Sequence, residues 1–298
     1  MKALLNVILS STIFINYTIA QPHWPFYRVP VPFEFSEELS VNDVNLDGYP
    51  DLITGNYITR YKNDGAGNFE LQIADHSPNA RAKNLEGADI DSDGDIDLVG
   101  NLGSNANNAL VVYENIGSEV FVKRVIQTGL VNGPYTYLHD LDRDGDVDIM
   151  SNTYDSSNPV WIFFENIGNL NFTAKTIYQG TVAYHNLIIE DFDRDDDPDI
   201  MALGTELVLF ENDGQENFSV RNTVAVNIDQ SDRYASGDID DDGDTDVLVT
   251  RSSSPQELIL YVNGGFASFD EVIINNLPTS INDIEICKSS KSPGVICL

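Results

Sequence analysis

DIDSDGDID, from Asp89 to Asp97, is one of five acidic nonapeptides that set the architecture of this chain. The others are DVNLDGYPD from Asp43, DLDRDGDVD from Asp140, DFDRDDDPD from Asp191 and DIDDDGDTD from Asp238. Their starts lie 46, 51, 51 and 47 residues apart. Oxygen-bearing side chains fall at the first, third, fifth and ninth positions, and glycine holds the sixth in all but the fourth copy. That ligand pattern suits a hard cation, and a period near fifty suits a repeat architecture.

A second phrase follows each acidic loop. It reads YKNDGAGNF from Tyr61, YENIGSEVF from Tyr113, FENIGNLNF from Phe164, FENDGQENF from Phe210 and YVNGGFASF from Tyr261. Asn and Gly in this frame suit a tight hairpin turn, and the flanking aromatics suit strands on either side. One repeat therefore reads as four short strands. In the second repeat they are Leu85 to Ile90, Ile96 to Gly100, Leu110 to Glu114 and Phe121 to Gln127. The tenth position of every loop is apolar (Leu52, Leu98, Ile149, Ile200 and Val247) and is expected to enter the core as the loop ends. No window outside the N-terminus carries a helical period. Four strands per repeat at this period describe an all-β propeller.

The ends carry partial repeats. FYRVP from Phe26 is like the fourth strand FVKRV from Phe121, and SINDIEI from Ser280 is like SVNDVNL from Ser40. After Glu285 the acidic pattern fails. The expectation is five full repeats plus a partial sixth, completed by the N-terminal strand. A seven-bladed propeller truncated at Leu298 is the alternative.

The 298 residues carry 48 acidic and 16 basic side chains, for a net charge of −32. Such a surface repels phosphate backbones and anionic lipid, so nucleic acid is not an expected partner. The first 20 residues read as a cleavable signal peptide: Lys2, an apolar run from Ala3 to Ile15, then Thr18 and Ala20 at the cleavage positions. The mature propeller would span residues 21–298, with no membrane insertion after cleavage, a secreted or cell-surface location and a monomeric state. Cys287 and Cys297 are the only cysteines. A bridge between them across the degenerate sixth loop is expected in an oxidising compartment, with two free thiols as the alternative.

The loops supply all-oxygen donor sets, which favour Ca²⁺ over zinc or copper. The seventh position would add its backbone carbonyl. The candidate ligands are Asp43, Asn45, Asp47, Tyr49 and Asp51; Asp89, Asp91, Asp93, Asp95 and Asp97; Asp140, Asp142, Asp144, Asp146 and Asp148; Asp191, Asp193, Asp195, Asp197 and Asp199; and Asp238, Asp240, Asp242, Asp244 and Asp246. About five structural ions follow. Carboxylates this close repel by about 1 kcal/mol per pair even in water-like dielectric, so the loops are costly without a cation. Position twelve is never the Glu of an EF-hand, and the flanks are not helical. Asn45 removes a charge from the first loop, and Asp196 replaces glycine in the fourth, so both are expected to be weaker sites.

The paired motifs resemble the VCBS/FG-GAP repeats of integrin-α-like β-propellers, over about Ser40 to Phe269. The resemblance implies secreted or surface propellers with calcium in the blade loops, serving adhesion or the binding of carbohydrate or protein. Some relatives belong to polysaccharide-degrading enzymes. A binding or adhesion module is therefore expected, with an extracellular lyase or hydrolase, or its accessory domain, as the alternative.

No catalytic residue is assigned. His23, His76, His139 and His185 have no partner pattern, and no nucleophile elbow, zinc-protease helix or phosphate loop occurs. His139 abuts the third loop and reads as a packing residue. Tyr135, Tyr137, Tyr154, Trp161, Tyr178 and Tyr184 are candidate sugar platforms, against the simpler reading that they pack between blades; Trp161 in particular reads as core. Asn171 and Asn217 stand in N-x-S/T sequons but at a turn position that explains them without glycosylation.

Overall fold

The computed structural model describes residues 14–16, 26–28, 39–55, 58–73, 82–103, 108–117, 120–130, 135–153, 158–184, 186–228, 233–251, 257–274, 285–289 and 292–297. It is all-β, with five four-stranded antiparallel sheets as the blades of a propeller. Blade 1 holds β3 (Leu39–Asn42), β4 (Asp51–Thr54), β5 (Thr59–Asn63) and β6 (Phe69–Ile73). Blade 2 holds β7 (Ala82–Ala88), β8 (Asp97–Leu102), β9 (Asn108–Asn115) and β10 (Phe121–Leu130). Blade 3 holds β11 (Tyr135–His139), β12 (Asp148–Asn152), β13 (Val160–Asn166) and β14 (Phe172–Gln179). Blade 4 holds β15 (Asn186–Glu190), β16 (Asp199–Leu203), β17 (Glu206–Asn212) and β18 (Phe218–Val226). Blade 5 holds β19 (Tyr234–Gly237), β20 (Asp246–Arg251), β21 (Glu257–Asn263) and β22 (Phe269–Ile274). Strands pair in sequence order within each blade.

Each acidic loop joins the first strand of a blade to the second, and each Asn-Gly phrase joins the third to the fourth. The second strands of blades 1 to 4 are buried at every residue, and in blade 5 only the last is not. Their core begins at the tenth loop position, where Leu52, Leu98, Ile149, Ile200 and Val247 are at most 1% exposed. The innermost strands differ from the apolar strand read at Leu85 to Ile90. β7 ends at Ala88, Ile90 already lies in the loop, and most described side chains of the innermost strands are only half-buried. They are sheet edges, so only part of each packs against neighbouring blades.

Apolar clusters seal each interface. Ile53 and Ile58 meet Leu98 and Val111 between blades 1 and 2, and Val99 and Val112 meet Ile149 and Phe164 between blades 2 and 3. Met150 and Trp161 meet Ile200 and Phe210 between blades 3 and 4, and Met201 and Leu209 meet Val247 and Tyr261 between blades 4 and 5. Trp161 lies 4.4 Å from the Tyr178 ring, 5.6 Å from Tyr184 and 5.0 Å from Phe210, centroid to centroid. Three of the candidate sugar platforms are thus one inter-blade aromatic cluster. Tyr137 accepts a hydrogen bond on its hydroxyl from the Leu187 amide at 3.1 Å, which also ties blade 3 to blade 4. Tyr154 lies outside the described residues.

Two further pairs lie outside the five blades. β1 (Phe14–Asn16) pairs with β2 (Phe26–Arg28), and β23 (Glu285–Ser289) pairs with β24 (Ser292–Cys297). The FYR strand read as completing a sixth blade thus pairs within the N-terminal segment. β23 and β24 form a separate two-stranded sheet, with β23 beside β19. Its register sets Cys287 opposite Val295 and Cys297 opposite Glu285. A hairpin closing at Ser289 and Ser292 shifts this pairing from that of the acidic blades, so the cysteines are not directly opposed. Their side chains lie outside the described residues, as do His23, His76 and His185.

Trp161→Ala should lower the unfolding free energy by about 3–5 kcal/mol, as expected for a buried large aromatic. A urea titration showing a loss below about 1 kcal/mol would contradict the inter-blade role.

Candidate metal centre

Every loop is built by the same backbone hydrogen bonds. The first-position carboxylate (Asp43, Asp89, Asp140, Asp191, Asp238) accepts the amide of the sixth residue at 2.7–3.2 Å. The fifth-position carboxylate (Asp47, Asp93, Asp144, Asp195, Asp242) accepts the amide of the seventh at 2.9 Å. The ninth-position carboxylate is the deepest: Asp51, Asp97, Asp148, Asp199 and Asp246 are at most 1% exposed. One of its oxygens accepts the amide of the second loop residue, Val44, Ile90, Leu141, Phe192 or Ile239. The other accepts the amide of the repeat asparagine, Asn63, Asn115, Asn166, Asn212 or Asn263, at 2.7–2.9 Å.

The turns need a left-handed residue at the sixth position. Gly48, Gly94, Gly145 and Gly243 have φ between 88° and 100°. Asp196 adopts the same region at φ 74°, and its amide reaches Asp191 as the glycine amides reach their partners. The fourth loop therefore keeps its geometry, consistent with the tolerance of Asp for this conformation.

Folding gathers the first, third and ninth carboxylates. Asp89, Asp91 and Asp97 offer oxygens within 4.8 Å of one another, as do Asp140, Asp142 and Asp148; Asp191, Asp193 and Asp199; and Asp238, Asp240 and Asp246. The fifth-position carboxylates stand outside these triads, each with one oxygen held by the seventh amide. In the first loop the third oxygen belongs to Asn45, whose Nδ2 donates to Asp47 Oδ2 at 2.9 Å.

The donor chemistry fits a hard divalent cation. Asp140 Oδ1 and Asp193 Oδ1 are buried oxygens with no hydrogen-bond partner, and Asp193 as a whole is 7% exposed. Burial pushes Asp97 up to about 6, and Asp148 and Asp199 up to about 7, although backbone amides pull each the other way. Burial, and secondarily nearby carboxylates, also raise Asp91, Asp142 and Asp193. A cation at the centre of each triad would offset both causes.

Two features had no signature when each loop was read alone. First, the fourth residue of a loop reaches forward to the next. Ser92 Oγ donates to Asp146 Oδ1 at 3.1 Å, and Arg143 Nη1 donates to Asp197 Oδ1 at 3.1 Å. Arg194 donates to the Asp242 carbonyl at 2.9 Å and pairs with Asp244. The seventh-position carboxylates Asp146, Asp197 and Asp244 thus receive the preceding blade. Second, two arginines, on a third and a fourth strand, pair with carboxylates at ligand positions nine and three. Arg60 is buried against Asp51. Arg221 contacts Asp193 Oδ2 at 2.5 Å and Glu211 at 3.1 Å. Arg60 follows Asp51 by nine residues and Arg221 follows Asp193 by 28, and only strand register reveals either pairing.

The remaining residues have ordinary roles. His139 places Nδ1 3.1 Å from the Asp140 carbonyl oxygen, beside the loop. Asn171 Nδ2 donates to the Gly168 and Asn169 carbonyls, and Asn217 Nδ2 donates to the Asp213 carboxylate. Both amides are committed to their turns. Among the described residues, no helix is long and apolar enough to cross a membrane.

The model of the FG-GAP-like repeat matches residues 43–100 and 140–202. A search of curated proteins returns no match. Among solved structures, the Tc holotoxin pore of Photorhabdus luminescens aligns with a TM-score of 0.51 at 14% identity, over 89% of this chain and 13% of that one. An arginine-to-alanine triple mutant of AofleA from Arthrobotrys oligospora aligns at 0.50 and 13% identity, over 88% and 82%. The rhamnogalacturonan lyase YesW aligns at 0.49 and 13%, over 87% and 58%. This chain thus spans 13% of the first of these proteins and 58% of the third, under two thirds of each. At such identities the likeness is one of fold.

The raised carboxylates fix a pH dependence. The native state of the metal-free protein holds protons that the unfolded state has released, between the ordinary carboxylate value near 3.8 and about 7. Stability should therefore fall as pH rises through that window. Urea titrations of metal-depleted protein at pH 5 and pH 7.5 check this; equal or greater stability at pH 7.5 would overturn it.

Proposed function

We propose that this chain, which is built of FG-GAP-like repeats, is a secreted, calcium-stabilised propeller that serves as a binding or adhesion module for an extracellular carbohydrate or protein. The observation that carries the calcium reading is the four carboxylate triads, each anchored on a fully buried ninth-position aspartate and repeated in register at the same corner of blades 2 to 5. Calcium accepts six to eight oxygens and tolerates irregular geometry, which suits loops that mix carboxylate and backbone donors. The ions would be structural. They sit where the first strand turns into the second, and their ligands are held by the hydrogen bonds that close each blade.

The binding role rests on the family's habit and on the character of the surface. Nucleic acid and anionic lipid are poor partners for a net charge of −32. A signal peptide over residues 1–20 would deliver the propeller to a calcium-rich compartment. Its removal would also free β2 from β1, and the FYR strand would then be available to the β23–β24 sheet. A further blade position next to blade 5 is supported by two observations: β23 lies beside β19, and Leu248 and Leu258 are at most 1% exposed in a cluster separate from the one that joins blades 4 and 5. A Cys287–Cys297 bridge in that unit remains part of this reading.

Chelation should lower the melting temperature of the purified mature protein by more than about 10 °C, with calcium found by elemental analysis beforehand. An unchanged melting temperature in a protein free of metal would refute the structural-ion reading. A glycan array with and without Ca²⁺, followed by turnover assays on the hits, checks the binding role. Retention without product supports a module, whereas product release would move the assignment to a polysaccharide-degrading enzyme.

A further inference from the structure

Blade 1 departs from the other four in ways that converge on its acidic loop. At the third position Asn45 stands where Asp91, Asp142, Asp193 and Asp240 stand later. On the third strand Arg60 stands where later blades hold Val112, Phe163, Leu209 and Leu260, one residue before the repeat aromatic. Arg60 is 1% exposed. Its Nε and Nη2 both donate to Asp51 Oδ2, at 2.8 and 2.5 Å, and its Nη1 donates to Gln72 Oε1 at 3.2 Å.

These bonds fill Oδ2 of the ninth-position carboxylate, which takes one donor in each of the other blades. Asp51 Oδ2 accepts two N–H groups from Arg60 and the amide of Val44 at 3.2 Å, while Oδ1 accepts the amide of Asn63 at 2.8 Å. An oxygen with three N–H donors has no lone pair left for a metal, and a fixed guanidinium repels a second cation. Among the described residues, no ion pair reaches Asp97, Asp148, Asp199 or Asp246, the corresponding groups in the other blades; Arg221 meets the fourth loop at Asp193 Oδ2 and leaves Asp193 Oδ1 without a partner. Asn45 Oδ1 is buried without a protein partner; being neutral, it attracts a divalent ion less than the aspartate of the later loops, and one water would satisfy it.

We propose that the Arg60 guanidinium is the resident cation of the first loop, and that divalent metal enters only the loops beginning at Asp89, Asp140, Asp191 and Asp238. The protein then holds four ions where its motif count implies five. This inference rests on the calcium reading above.

Equilibrium dialysis against ⁴⁵Ca²⁺, with the full mature chain, tests it. The wild type should hold four ions. The double variant D43A/N45A should still hold four, because its loop binds none, whereas D140A should hold three. The variant R60L/N45D, which restores the apolar strand residue and the third carboxylate, should hold five and gain a larger melting-temperature rise with calcium. A wild-type count of five that falls to four in D43A/N45A would overturn the inference and leave the calcium reading intact. Any other loss of an ion in D43A/N45A would do the same. No bound ion at all would overturn both. If R60L/N45D fails to fold, the wild-type count and the D43A/N45A comparison decide the matter between them.

Discussion

The ninth-position aspartate is the residue on which each blade depends. It opens the second strand, lies fully inside the protein, and accepts one amide from the acidic loop and one from the end of the third strand. A carboxylate so buried is tolerated only when its oxygens are well occupied. The repeat asparagine completes the arrangement. Asn166 Nδ2 donates to the Val147 carbonyl in its own loop and to the Ile90 carbonyl in the preceding one, and Asn263 reaches the Phe192 carbonyl in the same way. Three chain segments and two neighbouring blades thus meet at one acidic side chain.

The acidic loop and the core consequently share one geometry. The second loop residue bonds to the ninth carboxylate through its amide and sends its side chain into the core, as Ile90 does between blades 2 and 3. Any shift of the carboxylates would move that side chain, and any repacking of the interface would move the carboxylates. The seventh-position side chain adds a further constraint. A Cβ on Gly214 would come within 2.5 Å of Asp197 Oδ2, and one on Gly65 would meet the Tyr49 ring at 2.4 Å. The glycine of the Asn-x-Gly phrase provides a left-handed turn in all five blades, and in blades 1 and 4 it also leaves room for the loop lying across it.

The blade plan was legible because the five acidic loops and five Asn-Gly turns recur in a fixed order. Strand order, loop placement and the tenth-position core residues followed from that register alone. The packing role of Trp161 was legible from its place on a third strand. What escaped were side-chain pairings across strands, within a repeat as well as between repeats. Nothing local in the chain announces that Arg143 meets Asp197, or that Arg60 turns inward to Asp51, because these pairings depend on how strands and blades are set side by side. The left-handed turn expected at Asp196 is present, with its amide on Asp191 as the glycine amides are on their partners. The partial sixth repeat was visible as a fading motif, but the register of β23 and β24 followed its own short hairpin.

The forward reach of the fourth loop residue gives the ring a direction. Ser92, Arg143 and Arg194 each present a donor to the following repeat, and Asp146, Asp197 and Asp244 each present the acceptor. A repeat that carries its donor and acceptor at fixed places can be copied in tandem without inventing a new interface. The outer members cannot: Leu46 has no donor to extend forward, and Asp241 at the same place in the last loop is itself an acceptor. The second to fourth repeats are interchangeable in this respect, and a duplication among them would carry its interface along, whereas a copy of the first or fifth would not.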